Sequence, residues 1–135
     1  MSTNLYSFSE ETASRLRKFR FASARSDKVQ AVIYEIDKVS YEIREDPNVE
    51  DSPVTSIEEL VEELPDNSPR YVVLSYPLTL KDGRKSSPLV MFYWLPPTSQ
   101  QSLRMLYAAA VELFREKAGV SKYVSPYLLF YDLTI

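Results

Sequence analysis

The run Leu16-Arg17-Lys18-Phe19-Arg20-Phe21 packs three cations and two aromatics into six residues. Its chemistry is that of contact. Guanidinium and ammonium groups pair with acids on a facing surface, and the rings supply apolar area beside them. Leu16 and Phe19 are spaced to face a core, which leaves Arg17, Lys18 and Arg20 outward. Two readings follow, a solvated helix end or a basic contact patch for an acidic surface. A second candidate is Met105. On a helix advancing about 100° per residue it falls roughly opposite the stripe that begins at Leu103, with Gln101, Arg104 and Ala108 around it. It is either a stray exposed methionine or part of a helix face shaped to enter a cleft, a flexible thioether among small and polar neighbours. A third set, Glu58, Glu59, Glu62 and Glu63, offers paired carboxylates for acid–base work. No apolar pocket is in view to raise the pKa of any of them, so they read as a solvated face.

Composition closes off most other chemistry. The 135 residues contain no histidine and no cysteine. That excludes a Ser-His triad, a Cys-His dyad, a zinc site and a disulfide framework. The two glycines, Gly83 and Gly119, lie too far apart for a P-loop or a Gly-rich dinucleotide turn. No cofactor and no enzymatic activity are expected. The opening Met1-Ser2-Thr3-Asn4 carries no signal-peptide pattern, and the longest apolar stretch, Leu89 to Pro97, is too short to span a bilayer. A soluble intracellular domain is expected. The net charge is −3 but segregated, basic from Arg15 to Lys28 and acidic from Glu42 to Asp66. Such a dipole can orient on a partner of mixed charge. The acidic half argues against general nucleic-acid binding.

The elements that must carry these residues can be read in order. Ser7 or Ser9 caps a first helix, with Glu10 and Glu11 in its first turn. Val29 to Asp37 alternates as a strand, with Tyr41 to Arg44 as hairpin partner. Asp46 to Pro53 is an acidic loop. Ser56 to Leu64 is a short helix capped by Ser56, with Leu60, Val61 and Leu64 as its apolar face and Pro65 as its stop. Arg70 to Leu80 is a strand, Lys81-Asp82-Gly83-Arg84 a turn, and Ser87 to Trp94 a strand covered on both faces. Gln100 to Ala118 is the long helix, ended by Gly119, with Leu103, Leu106, Tyr107, Ala110, Leu113 and Phe114 inward. Tyr123 to Leu133 is a last edge strand. The whole is a single α+β (α/β layered) domain over residues 1–135, a mixed central sheet of about five strands flanked by helices.

Several of these segments resemble the glia maturation factors, a branch of the ADF/cofilin family. Leu16 to Phe21 is similar to their first-helix motif. Arg104-Met105-Leu106-Tyr107-Ala108 resembles the core of the ADF/cofilin long helix. Leu64-Pro65-Asp66-Asn67-Ser68-Pro69-Arg70-Tyr71 resembles their Leu-Pro-Glu-Arg-Gln-Pro-Arg-Phe motif, and Ser75-Tyr76, Asp82-Gly83-Arg84 and Pro88-Leu89 follow in the same order. The resemblance runs from about Leu5 to about Lys122. Tyr93-Trp94 and the acidic loop look most like fungal members.

The resemblance implies an ADF-homology fold and a partner, the actin-related protein 2/3 complex rather than actin. Binding would inhibit nucleation and dismantle filament branches, in the cytoplasm at cortical actin patches and in the nucleus as a further location. By this resemblance Gln101, Arg104, Met105 and Ala108 enter the cleft of an actin-like subunit. Lys18 and Arg20, with Arg17, support the rim, and the hairpin with Lys81, Asp82 and Arg84 makes a second contact. Ser102 stands where cofilins carry one of two lysines, which weakens the alternative of a cofilin-like actin-binding and severing module. A monomer is implied, with weak or no actin binding of its own, no nucleic acid and no membrane span. Ser2 is a candidate phosphorylation site. Relatives end in a further acidic amphipathic helix, whereas the sequence here stops at Asp132-Leu133-Thr134-Ile135, so either that helix is missing or this sequence ends short of it.

Overall fold

The computed structural model describes residues 5–120 and 123–124. The elements run β1 (Ser7–Phe8), α1 (Glu10–Ser23), β2 (Gln30–Ile36), β3 (Glu42–Glu45), α2 (Ile57–Glu63), β4 (Arg70–Ser75), β5 (Leu78–Thr79), β6 (Lys85–Ser86), β7 (Leu89–Trp94), α3 (Gln101–Ala118) and β8 (Tyr123–Val124). Six strands form one mixed sheet in the order β1-β3-β2-β4-β7-β8, and β5 pairs with β6 in a separate ribbon. The central ladders β3-β2, β2-β4 and β4-β7 are antiparallel. The edge strands β1 and β8 are parallel to their neighbours.

Alternation along the central strands builds two cores. Val32, Tyr34 and Ile36 of β2, Tyr71 and Val73 of β4 and Met91 of β7 point to one face. There they meet Leu16 of α1 and Tyr107, Ala110, Phe114 and Ala118 of α3. Ala31, Ile33, Val72, Leu74 and Phe92 point to the other face, under Leu60, Leu64 and Val54. A strand hydrophobic at every position therefore reads correctly as one covered on both sides. Phe114 anchors the first core: it stacks on Tyr71 at 4.8 Å and tilts against Tyr34 at 5.0 Å.

The helix ends are set by local chemistry. Ser9 Oγ accepts the Thr12 N–H at 3.1 Å, and Glu10 and Glu11 occupy the first turn of α1. Ser56 Oγ accepts the Glu59 N–H at 3.1 Å to start α2. Gly119 adopts φ 72° and donates to Arg115 and Glu116, while Val120 donates to Arg115. The left-handed turn that closes α3 therefore falls on a residue without a Cβ.

Several expectations shift. The strand expected to reach Leu80 stops at Ser75, because Pro77 offers no N–H to continue the ladder. Residues beyond it pair separately as the ribbon. The next strand starts at Leu89 rather than Ser87, just past Pro88. Val61 is 44% exposed: α2 is only two turns long and buries Leu60 and Leu64 instead. The inward stripe of α3 centres on Tyr107, Ala110, Phe114 and Ala118, with Leu103 and Leu106 at its half-buried margin. The mixed sheet of about five strands is as expected, and the two-residue Ser7–Phe8 adds a sixth at its edge beside β3. Of the expected last strand only Tyr123–Val124 is described. The remainder of that strand, the C-terminal end and Ser2 lie outside the described residues.

Candidate functional site

The register divides the sheet into two ends, and the candidate residues divide with it. Gln30, Ser75 and Leu89 are aligned at one end, and Arg70 and Trp94 at the other. α3 starts after the Trp94 end and runs back across the sheet, so its first turns sit at that end and Gly119 at the opposite one. α1 leads through residues 24–29 into Gln30, so its C-terminus lies at the Gly119 end.

At the start of α3, Gln101, Met105 and Ala108 form an exposed face, with Met105 63% exposed. Arg104 is half-buried and its guanidinium donates to the Pro97 carbonyl at 3.4 Å. The opposite side of the helix is fixed from below. The Tyr6 hydroxyl donates to the Leu106 carbonyl at 2.9 Å, the Tyr107 hydroxyl accepts the Ile36 N–H at 2.8 Å, and the Tyr71 hydroxyl donates to the Tyr107 carbonyl. Burial raises the phenol pKa of Tyr6, with Tyr41 as the lesser cause, and burial likewise raises that of Tyr107. These phenols keep their protons at neutral pH, so Tyr6 remains a donor. A methionine on a helix pinned at three points is a rigidly presented apolar knob.

The cations on α1 do not share one direction. Arg17 and Lys18 are exposed, and Lys18 lines a groove of about 280 Å3 with Phe19, Ala22, Val32, Tyr34 and Pro53. Arg20 points the other way and is half-buried. It packs on the end of α3, where a Cβ placed on Gly119 would stand 1.9 Å from its Nη1. Its guanidinium carbon also lies 5.7 Å from the Phe21 ring centroid. Arg20 therefore joins the two helices rather than standing free. About fourteen residues of helix, roughly 21 Å, separate Gly119 from Met105. The structure keeps Lys18 and Arg20 apart from Met105 and does not bring them to one rim.

The ribbon leaves the sheet at the same end as Gly119. Its tip carries Lys81, Asp82 and Arg84, all exposed, with Gly83 at φ 90°. Arg84 pairs with Asp82 at 2.6 Å, and the turn is closed by Leu80 donating to Arg84 at 2.7 Å. Sequence spacing missed two exposed apolar side chains at this end, Leu78 and Leu80, which join the exposed Phe21 of the basic run. The signal was present in Pro77, which separates the ribbon from the buried ladder and so frees Leu78 and Leu80 from the core.

Among the described residues, no cluster of acidic side chains could hold a metal ion and no helix is long and apolar enough to cross a membrane. Glu58, Glu59, Glu62 and Glu63 are all exposed on α2.

Residues 5–125 match the family of cofilin/tropomyosin-type actin-binding proteins. The chain is 45% identical over 126 residues to Protein AIM7 of Saccharomyces cerevisiae, covering 90% of this chain and 85% of that protein. It is 33% identical over 113 residues to glia maturation factor beta of Homo sapiens, covering 84% of this chain and 76% of that one. The solution structure of glia maturation factor from Caenorhabditis elegans superposes with a TM-score of 0.74 at 33% identity, over 90% of this chain and 84% of that one. Plasmodium berghei actin depolymerization factor 2 shares the fold, with a TM-score of 0.70 at 23% identity over 89% of this chain and 84% of that one.

Proposed function

The chain belongs to the cofilin/tropomyosin-type actin-binding family, and from that premise we propose that it binds the actin-related protein 2/3 complex, inhibits branch nucleation and promotes debranching of actin filaments. The observation that carries the reading is Met105: an exposed thioether held on a helix whose other side is pinned by buried tyrosines. A cleft between the subdomains of an actin-like subunit is the complement of such a knob, with Gln101 and Ala108 beside it and Arg104 at its edge. The resemblance to the glia maturation factors, whose name two of the relatives carry, is what favours the actin-related complex over actin itself, together with Ser102 in place of a cofilin lysine.

The protein acts by binding alone, as a monomeric single domain. A wedge with higher affinity for the complex released from the mother filament than for the complex still docked shifts the equilibrium toward release. The ribbon with Lys81, Asp82 and Arg84 makes a second contact, toward the first actin subunit of the branch. Its place of action is the branched network of the cytoplasm, at cortical patches. The second reading, a cofilin-like module that binds or severs actin, has one observation in its favour, the actin-binding character of the family as a whole.

One experiment separates the two. Branch lifetime and filament length are followed by fluorescence microscopy as protein is added to branched and to unbranched filaments. Faster loss of branches with unbranched filaments intact is expected. Severing of unbranched filaments, or strong co-sedimentation with them, would give the case to the cofilin-like reading.

A further inference from the structure

The base of the ribbon carries a modification motif that the partner reading leaves unused. Four serines, at positions 52, 68, 87 and 125, stand directly before a proline, and of these Ser87, in Arg84-Lys85-Ser86-Ser87-Pro88, is the one with basic residues both two and three positions upstream. Kinases choose substrates by such local patterns of charge and shape. A proline at the following position suits a subsite that excludes a backbone N–H, which proline lacks. The conformation suits an active-site groove too. Lys85–Ser86 is extended and is held to β5 by only two registered pairs, Leu78↔Ser86 and Thr79↔Lys85. A two-pair ribbon is the kind of element that opens locally at low free-energy cost.

Ser87 is also placed to matter. Ser87 is half-exposed, and its hydroxyl donates to the Ser26 carbonyl at 3.1 Å, joining the ribbon base to the segment between α1 and β2. The two segments flank a groove of about 700 Å3 lined by Ser87, Arg25, Lys85 and Asp27 among others. There is room for a phosphate, and there are two cations to meet it.

We propose that Ser87 is the acceptor of a proline-directed protein kinase, and that its phosphate is held in the groove by Arg25 and Lys85, replacing the hydrogen bond to Ser26 and cancelling the positive charge at this end of the molecule. Chemically, Ser87 Oγ attacks the γ-phosphorus of a nucleoside triphosphate and the bond to the leaving nucleoside diphosphate breaks. The hydroxyl proton passes to the kinase's base, so the Ser26 carbonyl loses its donor. The dianion is repelled by that carbonyl and by Asp27 and attracted by the two cations. The inference stands apart from the identity of the protein's partner.

The test treats the full chain, Ser86→Ala and Ser87→Ala with magnesium ATP and either a proline-directed kinase or a basophilic one. Phosphate is located by fragmentation mass spectrometry. The proline-directed enzyme is expected to place phosphate on Ser87 in the native chain and in Ser86→Ala, and Ser87→Ala is expected to lose most of the total incorporation. Phosphate found chiefly at Ser52, Ser68 or Ser125, no incorporation at all, or incorporation at Ser87 only by the basophilic enzyme would overturn the assignment. The groove is tested by phosphorus NMR of the modified chain against pH. The second ionisation is expected below its usual value of about 6 and should move up in Arg25→Ala. A titration indifferent to Arg25 would overturn the pairing.

Discussion

The two ends of the sheet face their surroundings by different means. At the Trp94 end, α3 presents Met105 over a floor of wholly buried Tyr107, Ala110 and Phe114, tied to β2 and β4 through tyrosine hydroxyls. At the Gln30 end, the cations of α1 and the β5–β6 ribbon stand on long side chains and a two-pair hairpin, with Leu78, Leu80 and Phe21 exposed among them. The first end offers shape and the second offers charge. Shape held rigidly discriminates between partners and sets how long a complex lasts, because its contacts are lost only on dissociation. Charge on flexible supports steers the encounter and is weakened by salt. A domain with both, held apart on one sheet, can be steered to a partner by one end and kept there by the other.

The comparison is broken most severely from beneath. Ala110 is wholly buried under α3, so Ala110→Asp should bury an unpaired carboxylate at a cost of several kcal/mol. The expected outcome is loss of the cooperative melt in circular dichroism, and with it loss of all binding. This is a better structural control than Leu106→Asp, because Leu106 is only half-buried. A variant that still melts cooperatively near the native temperature would contradict the helical phase on which the Met105 surface rests.

Met105→Asp, on the same helix, should leave stability within about 0.5 kcal/mol and abolish debranching. In a closed apolar cleft the introduced carboxylate loses its water without gaining a partner. Melting temperature and branch lifetime, measured on one preparation, check both halves. An early melt with normal debranching would reverse the roles assigned to the two sides of α3.

Gly119→Ala probes the opposite end. The left-handed backbone there should cost about 1–2 kcal/mol for any residue with a Cβ, and the new methyl would push Arg20 off the end of α3. Denaturant midpoints should show that loss in the native background and a smaller one in Arg20→Ala, where nothing needs to move. Equal losses in both backgrounds would mean that Arg20 does not pack there in solution.

The smallest effect is expected from charge alone. Lys18→Ala combined with Lys81→Ala removes two exposed cations, and the melt should not change. Association with an acidic partner should slow by a few-fold at low salt, with a flatter salt dependence and little change in dissociation rate. Stopped-flow mixing at two ionic strengths makes the measurement. A faster off-rate with an unchanged on-rate would move these residues from steering into the contact itself.

The sequence alone determined most of the elements, because their signals are local. Ser56 marks a helix start, Gly119 marks a helix end, Asp82-Gly83 marks a turn, and the unbroken apolar run through Phe92 marks a strand covered on both faces; the first cap stayed open between Ser7 and Ser9 until the structure put Ser7 in β1. The outward side of α3 was legible for the same reason: helical spacing sets Met105 across from Ala110 whatever the helix packs on. The tertiary structure decided what depends on pairing between distant segments. Ser7–Phe8 becomes a strand only because Glu42–Ile43 lies beside it, and no two-residue pattern announces that. Lys18 and Arg20 read alike in a helical projection. Which of them stays free depends on where α3 ends, since Arg20 packs on Gly119 and Lys18 faces a groove beside β2. The distance between the α1 cations and Met105 was likewise invisible in sequence. It is fixed by the direction in which α3 crosses the sheet, a property of the chain's path between strands rather than of any residue along it.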